Sequence, residues 1–582
     1  MGQKNGAKTV RSFALGAGIV VMPFAEAAAF PLIDPTNEGV GAVPAGTELA
    51  APDARDLAHQ LQLINGPLAA PQGGWAFQPR VDAQFMLTDN VYQVNSPRQW
   101  DFVTFLAPGF NLAGDLSHLQ AYFSFQPTLT IYTNASSLNA LTQQYNGTAL
   151  ATLVDDLLYL DVRAVSGVSS VYGGLGGIGG VGSNAVAQTS AANVTGVGNG
   201  FGLNKNNEIQ SSSLTISPYI MRRLGDWGNI KLGYSFGLTH SDALTGFVAS
   251  PFPTGGANQL TYLSNEQYFH YDTGDALNLL QYGLDIDLTQ ARTITGNTFY
   301  ETVTGLPQTA VGTGSFNNNN YYVTNRVQYQ LNPTIRLFAT GGWEYISYSN
   351  SMFQPINGPT WSIGTTLTPG PDTSLTASYG YMNGYYSANV VGYYNVTART
   401  TLNASYTSTL GTQLQYLQNQ LNQATGPNLV NAQNGGQLFV ANNLFGPQPG
   451  VYRFDTFSIG AQTTMNRDIV SANFSWSKTS QQGAAAAPPG YATSFNLQWI
   501  HQLQEDLILT VAGAFNTSNI SNTLTAFNPG NSHAFIGSAA LQYQISPTLG
   551  ATLRYSFFDR ISDVSTYSVY QNLLVLGISK TF

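Results

Sequence analysis

A glycine run, one Ser-x-x-Lys pair and six histidines are the residues from which chemistry could be built in this sequence. Gly174-Leu175-Gly176-Gly177-Ile178-Gly179 has the glycine spacing that lets a backbone approach a dinucleotide pyrophosphate. That use also needs a strand before the glycines, a helix after them and an acidic residue about 20 positions on. No such frame is legible, and the next acidic residue is Glu208. Ser475 and Lys478 match the spacing found in penicillin-binding enzymes. Their segment reads as a strand, in which residues three apart point to opposite faces and cannot meet. His59, His118, His240, His270, His501 and His533 form no close pair, which weakens both metal ligation and a catalytic triad. The sequence predicts no enzyme, no cofactor and no metal site; an outer-membrane lipase built from distant segments is the enzymatic alternative.

The elements that would position side chains are strands. Leu119, Ala121, Phe123, Phe125, Leu129 and Ile131 alternate with Gln120, Ser124, Gln126, Thr128 and Thr130. Ile230, Leu232, Tyr234, Phe236 and Leu238 alternate with Lys231, Gly233, Ser235, Gly237 and Thr239. Leu549, Ala551, Leu553, Tyr555 and Phe557 alternate with Gly550, Thr552, Arg554 and Ser556. Period two sends apolar side chains to one face of a strand and polar ones to the other. Many of these runs are long enough for a tilted strand to cross a hydrocarbon layer, which takes about 9–11 residues.

Short turns are predicted at Gly114-Asp115, Gly225-Asp226, Gln290-Ala291, Asn332-Pro333, Pro369 to Asp372, Asn466-Arg467, Gln504-Glu505 and Ser546-Pro547. Longer connections fall between them, at 242–274, 304–319, 349–358, 410–451, 481–490 and 520–532. Short and long links alternate, as tight periplasmic turns and extended outer loops do in a membrane barrel. Asn383-Gly384 is short although parity puts it on the outer side. The expected fold is all-β, a closed antiparallel transmembrane β-barrel of about 20 strands, an even number between 16 and 22. Parity makes 133–208 a long insertion, either one outer excursion or a segment containing a strand pair. Its glycine-rich part could fold into the lumen or be an outer loop. In 410–424, Leu410, Leu414, Leu417 and Leu421 have helical spacing.

Composition agrees with a barrel. Charged residues are 9% of the 582-residue chain, against about 25% in ordinary soluble proteins. There are 32 tyrosines, 31 phenylalanines, 60 glycines and no cysteine, and mean hydropathy is −0.06. No apolar stretch after the N-terminal segment reaches transmembrane-helix length. The net charge of −9 argues against a nucleic-acid partner. Lys4, Lys8 and Arg11 precede an apolar run from Phe13 to Ala25, and small residues follow. This is the anatomy of a secretory signal peptide at 1–27, with cleavage after Ala27. Residues 28–74 then form a short periplasmic segment, with a possible helix from Asp53 to Ile64, and 75–582 form the barrel.

The final residues, Leu574-Val575-Leu576-Gly577-Ile578-Ser579-Lys580-Thr581-Phe582, place Leu574, Leu576, Ile578 and Phe582 on one face. This resembles the signal read by the bacterial barrel-assembly machinery, with Lys580 departing from the usual apolar pattern. Four further pieces carry a second resemblance: Thr88-Asp89-Asn90-Val91-Tyr92, Leu106-Ala107-Pro108-Gly109-Phe110, Ile216-Ser217-Pro218-Tyr219 and Thr400-Thr401-Leu402-Asn403-Ala404-Ser405-Tyr406. They are similar to the β-barrel porins found with exopolysaccharide and exosortase (PEP-CTERM) systems. The resemblance spans about Trp75 to Phe582 and supplies no catalytic or ligand residues. It implies a channel in the bacterial outer membrane that passes a secreted polysaccharide. Its partners would be outer-membrane lipid, the assembly machinery, the polymer and periplasmic export components. A general diffusion porin and a closed structural or adhesive barrel are the alternatives. Lys231, Arg336, Glu344 and Arg554 fall on expected lumen faces and could serve either transport reading.

Overall fold

The computed structural model describes residues 73–170, 208–243, 259–273, 277–295, 299–301, 309–311, 316–349, 353–370, 372–412, 415, 451–483, 489–520, 530–565 and 568–582. The expected signal peptide with Ala27, nearly all of 28–74, the glycine run at 174–179 and most of 410–424 lie outside these residues.

Alternating apolar and polar residues form strands because each face then meets one solvent. The first strands are β1 (Gly74–Thr88), β2 (Asp101–Leu116), β3 (Leu119–Tyr132), β4 (Ala140–Val154), β5 (Leu158–Ser170) and β6 (Glu208–Arg223). β7 (Asn229–Ala243), β8 (Gln259–Asp272) and β9 (Leu280–Thr295) follow, then a separate small hairpin of β10 (Phe299–Glu301) and β11 (Thr309–Val311). The wall continues with β12 (Phe316–Asn332), β13 (Ile335–Tyr348), β14 (Ile356–Gly370), β15 (Thr373–Met382), β16 (Tyr385–Thr397) and β17 (Thr400–Gly411). It ends with β18 (Tyr452–Thr464), β19 (Asp468–Gln481), β20 (Gly490–Gln504), β21 (Leu507–Ile520), β22 (Gly530–Ser546), β23 (Leu549–Ser562) and β24 (Val569–Thr581).

All strands except β10 and β11 join one 22-stranded sheet. Each pairs antiparallel with its neighbour, and β1 closes the ring on β24 from Arg80↔Thr581 to Thr88↔Leu573. Closure leaves no edge with unpaired backbone groups, the condition for crossing lipid with strands. No described helix is long and apolar enough to cross a membrane.

The outward face is apolar. On β24, Leu574, Leu576 and Ile578 are exposed while Leu573 and Val575 between them are buried. On β23, Leu553 and Tyr555 are exposed and Thr552, Arg554 and Ser556 are buried. A soluble surface does not carry apolar exposure repeated around a whole sheet, whereas a lipid-facing wall must. Trp100, Trp343, Trp361 and Trp476 stand toward one rim, and Trp75, Trp227 and Trp499 toward the other. These are two aromatic girdles, suited to interfaces because an indole is apolar with one polar N–H. Trp343 Nε1 donates to Asn357 Oδ1 at 2.8 Å, and Trp499 Nε1 to Asp468 Oδ1 at 2.7 Å.

The links sort by rim. Those at 117–118, 155–157, 224–228, 273–279, 333–334, 371–372, 398–399, 465–467, 505–506 and 547–548 are short and lie on the rim where β1 begins and β24 ends. The opposite rim carries the long links, including 171–207, 244–258, 296–315 and 412–451. Asn383-Gly384 belongs to that outer rim, as parity requires. Both residues have left-handed backbone, with φ of 58° and 79°, the conformation of a two-residue I′ hairpin turn.

Four sequence expectations need correction, the first being the connection expected at 242–274, which contains β8, Gln259–Asp272. The strand number is even and is 22, at the top of the expected range of 16 to 22 and two more than the central value of about 20. The difference is β4 and β5, which lie within the supposed insertion at 133–208 and pair in the wall with β3 and β6. Gln290-Ala291 is no turn: the ladder runs through it, and the reversal is at 273–279, where Asn278 is left-handed with φ of 58°. The turn expected at Gly114-Asp115 is at 117–118. Gly114 serves packing instead, because a Cβ there would collide with the Trp75 ring.

Candidate functional site

Inside the barrel, alternation leaves a wall of uncharged polar side chains. Facing hydroxyls pair across neighbouring strands: Ser213 with Thr239 at 3.0 Å, Ser217 with Ser235 at 2.9 Å, and Thr340 with Ser362 at 2.6 Å. The same occurs for Thr366 with Thr376 at 3.1 Å, Ser405 with Ser458 at 2.7 Å, and Ser475 with Ser494 at 2.6 Å. Each pair sits at directly opposed ladder positions or nearly so, where Cβ atoms are about 4.5–5.5 Å apart. Between β18 and β22, Gln462 Oε1, Asn473 Oδ1, Asn496 Nδ2, Asn516 Nδ2 and Gln542 Oε1 have no hydrogen-bond partner among the described residues. These five atoms are sealed within the wall, so it is the remaining amide and hydroxyl atoms of this stripe that give the inner face its uncharged polar character.

Charge is concentrated on the wall from β5 to β12. Arg163 grips Asp161 through Nε and Nη2, at 3.1 and 2.9 Å from Oδ2. Lys231 Nζ lies 4.4 Å from the Tyr219 ring centre and 5.1 Å from that of Tyr268. Gly233 makes this possible, because any Cβ there would collide with the Tyr268 ring. His270 Nδ1 is 2.9 Å from Asp285 Oδ1, and its Nε2 is 4.0 Å from Asp287. Arg326 Nη2 donates to Asp272 at 2.7 Å. Glu266 stands on the same face of β8 as Tyr268 and His270. Five carboxylates (Asp161, Glu266, Asp272, Asp285 and Asp287) thus meet three fixed cations (Arg163, Lys231 and Arg326), so the band is net negative. No group of three metal-ligating side chains suited to an ion occurs among the described residues.

The outer mouth is built differently. Asn90, Val91 and the link at 133–139 fold over the inner face of the first strands, where Val91, Ala135 and Leu138 pack on Met86, Val103, Phe105 and Leu573. The closing seam is stitched there. Asn572 donates to Asp89 through its backbone N–H and Nδ2, both at 2.7 Å, and Gln571 Nε2 donates to Thr88 Oγ1 at 3.0 Å. Opposite, the β15–β16 tip is bent onto the inner face of β13. Glu344 accepts from the Asn383 N–H at 2.8 Å and the Gly384 N–H at 3.0 Å. The Tyr322 hydroxyl donates to Asn383 at 2.9 Å.

The four charged residues singled out in the sequence do not form one site. Lys231 belongs to the charged band and is buried under two tyrosines. Arg336 is half-buried near the inner end of β13, opposite Gln330 and Thr366. Glu344 is fully buried and holds a turn. Arg554 is buried on β23, between Ala540 and Val575, far around the ring from β8. Sequence reasoning missed Asp161, Arg163, Asp285 and Asp287, although Leu284-Asp285-Ile286-Asp287-Leu288 shows the same alternation as the strands it found. Ser475 is bonded to Ser494 and Lys478 points to the other face, so the Ser-x-x-Lys pair is not assembled. At the closing end, Leu574, Leu576, Ile578 and Phe582 are all exposed, and Lys580 Nζ donates to Thr548 Oγ1 at 2.6 Å.

No protein-family model and no curated protein matches this chain. Solved structures do. The apoprotein form of the FrpB iron transporter from Neisseria meningitidis (F5-1 variant) is similar at 11% identity, over 90% of this chain and 83% of that one, with a TM-score of 0.50. The ferric-catecholate import receptor Fiu from E. coli K12, in its open form, is 11% identical over 89% of this chain and 82% of its own, with a TM-score of 0.46. The siderophore receptor PirA from Acinetobacter baumannii is 9% identical over 88% and 81%, also with a TM-score of 0.46. At such identity the likeness is one of fold alone. The chain is a 22-stranded β-barrel of the outer membrane.

Proposed function

We propose that this barrel is an outer-membrane channel for a hydroxyl-rich polymer, a secreted polysaccharide, and that it is not an enzyme. The observation that carries this reading is the inner wall of uncharged hydroxyl and amide side chains running from β13 round to β22. Such groups exchange hydrogen bonds with a sugar chain at nearly constant energy, so the chain is wetted without being trapped by charge. The resemblance of Thr88 to Tyr92 and Thr400 to Tyr406 to porins of exopolysaccharide systems supports the same reading. Under it the partners are outer-membrane lipid, the barrel-assembly machinery, the polymer and periplasmic export components. The iron and siderophore functions of the similar barrels are not carried over, because their identity to this chain is 9–11%.

The test is conductance of the purified barrel in planar bilayers with neutral maltodextrins added to one side. Entry of the polymer should interrupt the current in a length-dependent way at moderate salt. A barrel that conducts only small ions, with no polymer interruption, would favour the diffusion-porin reading. The net-negative band from β5 to β12 is the observation behind that second reading, and it predicts preference for cations. A barrel with no conductance would leave a structural or adhesive role.

A further inference from the structure

At Asn383-Gly384 the outer rim is a two-residue turn, and beside it the wall is incomplete. β16 pairs with β17 only from Val390↔Tyr406 inward, so residues 385–389 separate from the outer end of β17. The separated tip, the segment from Phe353 to Ile356 and the outer ends of β17 to β19 line a half-open cavity of about 480 Å³. That is within the range of about 300–1,000 Å³ typical of small-molecule sites.

Its lining combines flat apolar surface, amides and an excess of positive charge. Arg453 lies over the Tyr385 ring at 3.8 Å and its Nε donates to Asp455 Oδ1 at 2.9 Å. Ser408 also bonds Asp455, so this carboxylate is occupied from two sides. Lys478 is opposite Asp455 in the β18–β19 ladder. No ion pair or hydrogen bond involves its ammonium among the described residues. One carboxylate therefore stands against two cations in the lining. Asn383 and Gln482 add amide groups, and Phe353 adds a ring edge-on to Tyr348 at 4.9 Å.

We infer that this cavity binds an acidic saccharide, one sugar unit of which places its carboxylate at Lys478 and its hydroxyls on the amides. A neutral sugar would leave the excess positive charge unmatched, and a small inorganic anion would leave the amides and rings unused. This deepens the polysaccharide reading by giving the polymer a charge, and it depends on that reading only for the source of the sugar.

Binding is measured on the purified full-length barrel in detergent by calorimetry, with hexagalacturonate as probe and maltohexaose and inorganic phosphate as controls. Hexagalacturonate should bind at least tenfold more tightly than maltohexaose. Lys478→Gln should weaken it about tenfold, the loss of one charge-assisted hydrogen bond. Lys478→Arg should restore most of the affinity. Lys478 anchors no described element, and heat-modifiable mobility of each variant confirms that the barrel is folded. Equal affinity for the acidic and neutral hexamers, or indifference to Lys478→Gln, overturns the inference. Phosphate displacing the hexamer at equal concentration overturns it too, by making the site a general anion site. Maltodextrin interruption of current by the unmodified barrel is scored separately, so channel function can stand if this site fails, and the reverse.

Discussion

Glu344→Gln is the substitution whose consequence can be worked most closely from the structure. The Glu344 carboxylate is fully buried, and each oxygen accepts one N–H from the turn, at 2.8 Å from Asn383 and 3.0 Å from Gly384. Glutamine has nearly the same shape but one acceptor oxygen. Its amide group would confront the second N–H donor with another donor, leaving a buried N–H unpaired at a cost of about 1–3 kcal/mol. Taking about 2 kcal/mol, the turn should open roughly 30-fold more often. Hydrogen exchange resolved by mass spectrometry should show this at residues 383–385, with protection in the β14–β15 ladder from Trp361↔Tyr381 inward unchanged. Binding in the mouth cavity should weaken as well, because Tyr385 follows directly on the turn. Unchanged exchange at 383–385 would refute the claim that Glu344 anchors the hairpin. Loss of protection throughout the wall would refute the claim that its role is local.

Arginine at Phe474 should destabilise the barrel by about 2–4 kcal/mol in urea titrations in lipid vesicles, since that position faces lipid. Arginine at Ser475, which pairs with Ser494 on the inner face, should cost about 1 kcal/mol and alter conductance instead; equal costs would mean the faces are misassigned. Asp89→Ala removes both acceptors of Asn572 at the closing seam and should lower the temperature at which the folded band is lost on gels, and an unchanged transition would deny the seam its role. Deleting Phe582, whose N–H donates to the Pro79 carbonyl at 2.9 Å, should impair membrane assembly while export continues. Normal barrel yield would count against an assembly signal there.

Strand faces were legible in the sequence because period two is local, needing only a few adjacent residues to declare itself. The inner and outer faces of β3, β7, β19 and β23 follow directly from their alternation. Where a strand is interrupted by small or weakly polar residues, the same reasoning fails. Thr148 to Val162 contains the turn at 155–157, and its two halves read as one apolar segment until their partners β3 and β6 are known. Gln290-Ala291 has turn-like composition inside a strand, while the real reversal depends on a left-handed Asn278. The first error hid Asp161 within a supposed insertion, and the connection expected at 242–274 hid Glu266 and Asp272 of β8. Parts of the mouth were legible one by one, but not how they meet. Thr88 to Tyr92 could be noticed as a motif, but Asp89 meets Asn572 only when the two ends of the sheet close on each other.

Glu344 shows why inward parity alone does not make a charge available to a solute. A carboxylate on a lumen face is free only if no loop presents unpaired N–H groups within its reach. The hairpin at Asn383-Gly384 presents two, and it consumes Glu344 completely. Asp285 and Asp287 lie in the middle of β9, away from the turns, and both face the side chain of His270. Selectivity among small ions should therefore follow those two residues and not Glu344, although all three occupy the same face of the alternation. Asp285→Asn with Asp287→Asn should lower cation preference in bilayer reversal potentials, while Glu344→Gln should leave it nearly unchanged. The reverse order would mean that the wall around β9 is not on the conduction path.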